Sequence, residues 1–385
     1  MRIAVLTLPL HRNYGGVLQA YALQTYLEKM GHEVIVINRR HSPNLSLPLL
    51  LLRVGSMMKS LFRRVVLGKK EYIIMSPLSR NFRSKWDGYD ILPFVDESIH
   101  LTKVLNSSRK LRRYLERGNF DCLAVGSDQV WRPRYSPCIT DYFFKEVAAT
   151  KTFKIAYAAS FGTDEWEFNE EETRECAELA KKFDRISVRE KSGIGLCAKY
   201  LGVEAYHVLD PTMLLESDDY IRLFENAETS KSDTNVFCYV LDSNAESEKI
   251  IKSLEQDGYN TFCVEMKVTP TVNNPRPCQL SVEEWLRGIH DSKLVVTDSF
   301  HVCVFSIIFK KPFIALGNES RGNARFDSLL EAFGLQDRLV LNYEAFIENK
   351  ELLMRVFDTE GIESLLQHQR EYSMSFLTDI LNAKG

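Results

Sequence analysis

The chain has 385 residues, of which 45% are hydrophobic and 26% charged, a composition typical of a globular protein with room for two domains. The formal net charge of -3 indicates no general attraction to nucleic acid, and no apolar run reaches the roughly 20 residues that a membrane span needs. We therefore expect a soluble protein that binds no nucleic acid.

Short apolar runs alternate with helical patterns along most of the chain, which predicts parallel sheets covered by helices. A strand at 2–8 (RIAVLTL), an amphipathic helix that ends near Gly31 and a strand at 33–40 form a first βαβ unit. Further strands are predicted at 121–127, 154–161, 185–190 and 204–210, and a second series at 235–241, 260–266, 294–299 and 312–317.

This order predicts an α/β protein with two Rossmann-like, doubly wound domains. We place the first at 1–210, with an insertion at about 42–118, and the second at 211–385. The domains are expected to meet near Asp210, and the segment from Ile362 onward is expected to be a helix that can return to the first domain.

The segment from Ser42 to Lys85 departs from the alternating pattern, because it has nine Lys or Arg and only one acidic residue, Glu71. One interpretation is a helical insertion packed on the first domain with its basic side in solvent. The other is an amphipathic basic patch that contacts an anionic lipid surface or a lipid-linked acceptor. The latter would place the protein at the inner face of the membrane.

The beginning of the chain and its cysteines indicate the compartment. Polar residues interrupt the apolar N-terminus before a signal peptide would be complete, so we expect a cytoplasmic protein. The eight cysteines are scattered singly, without a CxxC pair or zinc-site spacing. This distribution predicts reduced thiols, no metal site and no cofactor.

Ligands of open parallel sheets bind at the carboxyl ends of the strands, so the loops there are candidate sites. The first such loop contains Asn13, Tyr14, Gly15 and Gly16 and begins a helix. Two glycines allow close backbone approach, and the N–H groups of a first helical turn suit an anion. A tight turn required only by steric fit is the alternative.

Two later strands also end in polar residues. Ser127 and Asp128 follow the strand at 121–127, where they either face a ligand or cap a short helix. Arg189 ends the strand at 185–190. Its guanidinium either pairs with a carboxylate such as Glu190 or binds a phosphate or carboxylate of a ligand.

The stretch VVTDSFHVCVFSIIFKKPFIAL contains one imidazole at the start of an apolar helix, His301, with Ser299 as a possible cap. The helix dipole disfavours imidazolium whereas a bound anion favours it, so His301 is a candidate for acid–base catalysis. A histidine satisfied by a backbone carbonyl is the alternative. Arg321 and Arg325 follow the next strand and either bind an anion or pair with Glu319 or Asp327.

These residues lie in motifs that resemble the polysaccharide pyruvyl transferase family. The motifs NYGGVLQAYALQTYL, VGSDQVWRP, YAASFG, ISVREKSG, LDPTMLL and VTDSFHVCVFSIIFKKPFIAL occur in the order of that family, and RFDSLLEAFGLQDR fits the segment after them. The resemblance extends from about Asn13 to Arg338 and leaves out the basic insertion. It implies a glycosyltransferase-B-like (GT-B-like) arrangement with the active site in the cleft between the domains.

The resemblance also implies a reaction: transfer of pyruvate from phosphoenolpyruvate to two hydroxyls of a sugar, forming a cyclic ketal in cell-surface polysaccharide biosynthesis. The implied partners are phosphoenolpyruvate and a sugar or lipid-linked oligosaccharide. His301 corresponds to the histidine of the strand-to-helix motif and is the expected general acid, and Asp128 is a candidate for deprotonating or positioning a sugar hydroxyl. The expected substrate ligands are Asn13, Tyr14, Gly15, Gly16, Ser127, Arg189, Ser299, Arg321 and Arg325.

One departure from the family pattern concerns the donor. The better understood members have Arg-Leu-His at this turn, whereas this chain has Ser299, Phe300 and His301. Two alternative functions therefore stay open: a sugar-nucleotide-dependent glycosyltransferase of the same architecture, and a non-catalytic binding protein of a polysaccharide assembly complex. Binding of a nucleotide diphosphate would favour the first, and an indispensable basic segment with a dispensable His301 would favour the second.

Overall fold

The computed structural model describes residues 1–10, 13–40, 91–145, 147, 152–225, 235–264, 280–317 and 323–384, with isolated positions between 54 and 65. Within these ranges the strands form two separate parallel sheets. The strands are β1 Arg2–Leu6, β2 Glu33–Ile37, β3 Cys122–Val125, β4 Phe153–Ala159, β5 Arg185–Val188, β6 Tyr206–His207, β7 Val236–Tyr239, β8 Thr261–Cys263, β9 Leu294–Thr297, β10 Phe313–Leu316 and β11 Leu339–Val340.

The first sheet has six strands in the order β2-β1-β3-β4-β5-β6. Its two middle strands, β3 and β4, are buried along their whole length because helices cover both faces. β1 lies inside the sheet, between β2 and β3. Its Ile3 pairs with Val34 of β2 on one side and with Cys122 of β3 on the other. The second sheet has five strands in the order β11-β10-β9-β7-β8. Because all pairs are parallel, each sheet presents its carboxyl ends at one edge.

Helices connect the strands, and several begin with side-chain caps. Asn169, Asn244 and Ser281 each start a helix with a reciprocal capping box. The helices are α1 Tyr14–Lys29, α2 Leu92–Ser98, α3 Ser108–Arg117, α4 Glu170–Ala180, α5 Lys191–Leu196, α6 Ser217–Glu225, α7 Ala245–Gln256, α8 Val282–Asp291, α9 Phe300–Ile308, α10 Ala324–Ala332, α11 Tyr343–Met354 and α12 Thr359–Lys384. None of them, in the part of the chain described, is long and apolar enough to cross a membrane.

The last helix, α12, packs against the first sheet and the connection between the sheets. Ser373 accepts a hydrogen bond from the backbone N–H of Leu209 at 2.9 Å, and Phe376 packs on the rings of Tyr157 and Tyr206. Arg370, which is buried, donates to the carbonyl of Met213 at 2.8 Å. α12 thus ties the C-terminal segment to residues that end the first sheet.

The predicted fold class is confirmed: the chain is α/β, with two parallel sheets covered by helices. Several strands are shorter than their predicted runs, as in β1, which covers Arg2–Leu6 of the predicted 2–8. β11 was not predicted, since two residues give no periodic signal. The basic segment at 42–85 lies outside the described residues apart from isolated helical positions, so neither interpretation of it is tested.

Candidate active site

A cleft of about 770 Å³ lies at the carboxyl edges of both sheets. The first sheet contributes the loops after β1 and β3, and the second contributes the segments after β7 and β9. The lining residues are Leu8, Pro9, Asn13, Tyr14, Gly15, Gly16, Asp128, Gln129, Arg132, Arg134, Tyr135, Tyr239, Leu241, Trp285, Asp298, Ser299, Phe300, His301 and Arg325. The expected residues Asn13, Tyr14, Gly15, Gly16, Asp128, Ser299, His301 and Arg325 therefore share one cleft.

His301 lies in the first turn of α9 and is 5% exposed. Its ring packs against the backbone of Gly15, where a Cβ atom would come within 2.0 Å of Nδ1. No side chain larger than hydrogen fits there without moving the imidazole. Its other nitrogen, Nε2, is 3.5 Å from a carboxylate oxygen of Asp210 and 3.5 Å from the guanidinium of Arg189. His301 is therefore bound to charged side chains rather than to a backbone carbonyl.

Asp210 is a site residue that sequence reasoning placed only at the domain boundary. Its side chain is 1% exposed, and its Oδ2 accepts from Arg189 Nη1 at 2.8 Å and from Ser127 Oγ at 3.2 Å. Burial raises the pKa of this carboxyl, but the hydrogen bonds and charges of His301 and Arg189 outweigh burial. The pKa of Asp210 lies well below its usual range, and the group is ionised at neutral pH.

Arg189 is not among the residues that line the cleft but lies behind them. Its side chain is 1% exposed and pairs with Asp210 and, at 3.5 Å, with Asp128 Oδ1. Burial lowers the pKa of this guanidinium, while Asp210, Asp128 and Glu190 raise it above its usual value. Ser127 is likewise buried and directs its hydroxyl at Asp210. Arg189 and Ser127 thus both hold the carboxylate of Asp210 behind the cleft.

Asp128 is held at the cleft in an uncommon backbone conformation. Its φ is +69°, in the left-handed region that non-glycine residues seldom adopt. Its carbonyl accepts from the N–H groups of Val130 and Ser160, which fix this conformation. Oδ2 accepts from Asn13 Nδ2 at 3.3 Å, so Asp128 joins the loop after β3 to the loop after β1. Such a strained conformation directs the carboxylate at the space above Gly16.

Arg325 is a guanidinium of the cleft that forms no ion pair with the described residues. It lies in the first turn of α10, half-buried, and its Nε has no hydrogen-bond partner among the described residues. Burial and the charge of Arg189 lower its pKa to about 10. The alternative pairing of Nε with Asp327 is not formed, whereas Glu319 and Arg321 lie outside the described residues. Arg325 is thus a cation that a bound anion would neutralise.

Two helix N-termini meet at this cleft. α1 starts after Asn13 and α9 after Ser299, and neither capping side chain bonds to the first turn. Their N–H groups are therefore available to an anion, and the positive ends of both helix dipoles favour it. Tyr14 takes a different part, because its hydroxyl donates to the carbonyl of Leu280 and its ring stacks on Trp285 at 5.1 Å. It joins α1 to the second sheet's domain.

Phe300 lies near both of these arginines. Its ring centroid is 4.6 Å from the guanidinium carbon of Arg189 and 5.9 Å from that of Arg325. A ring face attracts a cation, so Phe300 partly offsets the repulsion between the two like charges. At the turn where the sequence departs from the family pattern, this chain thus has an aromatic side chain beside Arg189, which follows β5, and Arg325, which lies in α10.

Several lining residues were not singled out as candidate ligands from the sequence. Arg132 forms a bidentate pair with Glu167, and Arg134 and Tyr135 lie together at the rim. Asp298 accepts from the N–H groups of Leu241 and Asp242 and so holds the loop after β7. Over the described ranges, no three His, Cys, Asp or Glu side chains are grouped as a metal ion requires.

A cleft between two parallel α/β sheets, with charged side chains and helix N-termini on its walls, defines a two-domain enzyme of the GT-B-like class. Within that class, the chain belongs to the polysaccharide pyruvyl transferase family, whose model matches residues 13–320. The resemblance seen in the sequence is therefore confirmed over this range. The protein is a transferase, and its family implies a sugar or polysaccharide acceptor.

Solved structures agree on the fold. A putative UDP-N-acetylglucosamine 2-epimerase from Listeria monocytogenes is 11% identical, with a TM-score of 0.52 over 100% of this chain and 97% of that one. The UDP-GlcNAc 2-epimerase of Neisseria meningitidis, bound to UDP-GlcNAc, is 10% identical, with a TM-score of 0.51 over 98% and 100% of the two chains. The kitacinnamycin glycotransferase is 11% identical, with a TM-score of 0.50 over 100% and 98%. No curated protein matches the sequence.

Proposed function

We propose that the protein transfers pyruvate from phosphoenolpyruvate to two hydroxyls of a sugar, forming a cyclic ketal during cell-surface polysaccharide biosynthesis. One observation carries the proposal: an imidazole, His301, shares a cleft with an unpartnered cation, Arg325, and with two helix N-termini that lack side-chain caps. Phosphoenolpyruvate has a phosphate and a carboxylate next to a carbon that must be protonated. The cleft supplies a group for each of these needs.

The anionic groups of the donor are assigned to the uncapped helix N-termini and to Arg325. Backbone N–H groups of Gly15 and Gly16, with those of the α9 first turn after Ser299, bind one anion, and the guanidinium of Arg325 binds the other. Arg321, which follows the same strand, is a further candidate for this contact. Asn13 holds Asp128, and Tyr14 fixes α1 against Trp285, so both act by shaping the site.

The proposed chemistry begins with proton transfer from His301 to the methylene carbon of phosphoenolpyruvate, which leaves C2 electrophilic. A sugar hydroxyl adds to C2 and releases its proton to Asp128. The C2–O bond to phosphate then breaks, and a second hydroxyl closes the ring. Asp128 passes the proton of the first hydroxyl to the departing phosphate, and the proton of the second hydroxyl restores His301, so atoms and charge balance.

The acceptor is proposed to be a sugar or a lipid-linked oligosaccharide. The large cleft volume of about 770 Å³ can hold a sugar ring beside the donor. We further propose that the protein works in the cytoplasm, and that the basic segment at 42–85 contacts the anionic inner face of the membrane. That contact would bring the cleft near a lipid-linked acceptor.

The test measures phosphate released from phosphoenolpyruvate in the presence of sugar and oligosaccharide acceptors, with the new ketal methyl group followed by proton NMR. We expect turnover by the wild-type protein, loss of roughly 10²-fold or more in His301→Gln, and a similar rate in Arg109→Ala. Arg109 is an exposed arginine on α3, outside the cleft, and it controls for loss of charge. Phosphate release that does not need His301 would contradict the proposed chemistry.

A further inference from the structure

The carboxylate beneath His301 has a fixed orientation. Oδ1 of Asp210 accepts from the N–H of Thr212 at 3.0 Å and from its hydroxyl at 2.7 Å. Oδ2 accepts from Arg189 and Ser127 and lies 3.5 Å from His301 Nε2. Both oxygens are therefore held by other groups, and the carboxylate cannot rotate away from the imidazole.

We propose that Asp210 is a positioning residue that keeps a proton on Nε2 of His301 and leaves Nδ1 to transfer the proton to or from the substrate. An ionised carboxylate only accepts hydrogen bonds, so a bare Nε2 lone pair facing Oδ2 would be repelled. Arg189 Nη1 is equally near Nε2 and donates one of its two hydrogens to Oδ2 at 2.8 Å, so the tautomer measured below decides whether Asp210 or Arg189 is the partner of Nε2. That Nδ1 exchanges a proton with a substrate rests on the proposed function, whereas the tautomer of His301 does not.

Nδ1 is the ring nitrogen that does not face Asp210. The imidazole packs against Gly15 at the first turn of α1, where the absence of a side chain makes space for the ring. His301 and Gly15 both line the cleft that is assigned to the donor. A carboxylate at one nitrogen, with the other nitrogen directed away from it, is the arrangement by which an aspartate fixes the tautomer of a catalytic histidine.

The direct test needs no substrate. Protein labelled with nitrogen-15 in its eight histidines is titrated by long-range proton–nitrogen NMR, and His301→Gln identifies the signal of His301. We expect the neutral form to be protonated on Nε2. Protonation on Nδ1 would overturn the proposal. This result stands apart from the proposed function, because a protein that ignores phosphoenolpyruvate still reports its histidine tautomer.

A kinetic test separates positioning from folding. In Asp210→Asn we expect kcat to fall by about 10²- to 10⁴-fold, while the KM for phosphoenolpyruvate changes by less than about threefold. Ser373→Ala removes a buried contact to the neighbouring Leu209 and should change both constants by less than about threefold. An unchanged kcat in Asp210→Asn, or an equal fall of kcat in Ser373→Ala, would overturn the proposal. If Asp210→Asn does not fold, the tautomer of His301 measured in the wild-type protein still tests the proposal.

Discussion

At the scale of single residues, the site contains one arginine that forms ion pairs and one that does not. Arg189 pairs with Asp210 and Asp128, whereas Arg325 has no ion pair in the described ranges. An unpaired, half-buried cation destabilises a fold unless a ligand brings the opposite charge. We therefore propose that Arg189 holds Asp210 in place and that Arg325 binds the ligand.

Arg325→Met should increase the stability of the unliganded protein and weaken the binding of phosphoenolpyruvate. Folding lowers the pKa of Arg325 to about 10, so the charged form at pH 7 is less favourable in the folded protein than in the unfolded chain. Removing the charge should raise the free energy of unfolding by about 0.5–2 kcal/mol in urea titrations without ligand. It should also weaken phosphoenolpyruvate binding at least tenfold. A less stable variant that binds normally would refute the assignment of Arg325 to the donor.

The residues that sequence reasoning found and missed differ in one respect. His301, Gly15 and Asp128 end strands or begin helices, so their place at a carboxyl edge follows from the pattern of apolar runs. Asp210 does not stand out, because its partners Ser127 and Arg189 are distant in the sequence and only the sheet order brings them together. The partner of Arg189 could not be read from the sequence for the same reason, because no local signal shows that the buried carboxylate of Asp210 faces it.

At the scale of elements, the first turns of α1 and α9 pack closely because Gly15 in α1 has no side chain. Gly15 allows the imidazole of His301 to touch the backbone of α1, and both helices begin without a side-chain cap. An alanine at position 15 would favour helix formation by up to about 1 kcal/mol, yet its methyl group would occupy the place of the ring. Function and helix propensity thus conflict at this position.

Gly15→Ala should therefore lower kcat by 10²-fold or more while the protein stays folded, since His301 must turn away from its contact with Asp210. The matched control is Gly195→Ala in α5, because a Cβ there meets nothing within 4 Å. Gly195→Ala should keep full activity and gain up to about 1 kcal/mol of stability. Phosphate release and circular dichroism check both variants. Equal activity of the two would show that the glycine–imidazole contact is not needed.

At the scale of the whole molecule, α12 ties the segment between the sheets to the C-terminus. Arg370 is 2% exposed on its side chain and donates to Met213, Leu215 and Glu216. These acceptors follow Asp210 directly along the chain, so the helix supports the turn that carries the site carboxylate. The final segment was expected to be helical from its pattern, but its docking partners depend on tertiary packing that a pattern does not contain.

Replacing Arg370 by alanine should lower the free energy of unfolding by about 3–5 kcal/mol, because it leaves buried carbonyls without their donor. Arg355→Ala is the control, since that arginine is 72% exposed on its side chain and makes only a 3.8 Å pair with Glu351. It should change stability by less than about 0.5 kcal/mol. Urea unfolding measures both. Similar values for the two variants would mean that α12 does not stabilise the connection.

The central claim concerns the donor, and binding tests it without knowledge of the acceptor. The measurement is calorimetric titration of the wild-type protein with phosphoenolpyruvate and, separately, with a panel of nucleotide sugars. We predict saturable binding of phosphoenolpyruvate and none of the nucleotide sugars, with the affinity lost in Arg325→Ala and kept in Arg109→Ala. Binding of a nucleotide sugar without binding of phosphoenolpyruvate would contradict the account and identify the protein as a sugar-nucleotide-dependent glycosyltransferase.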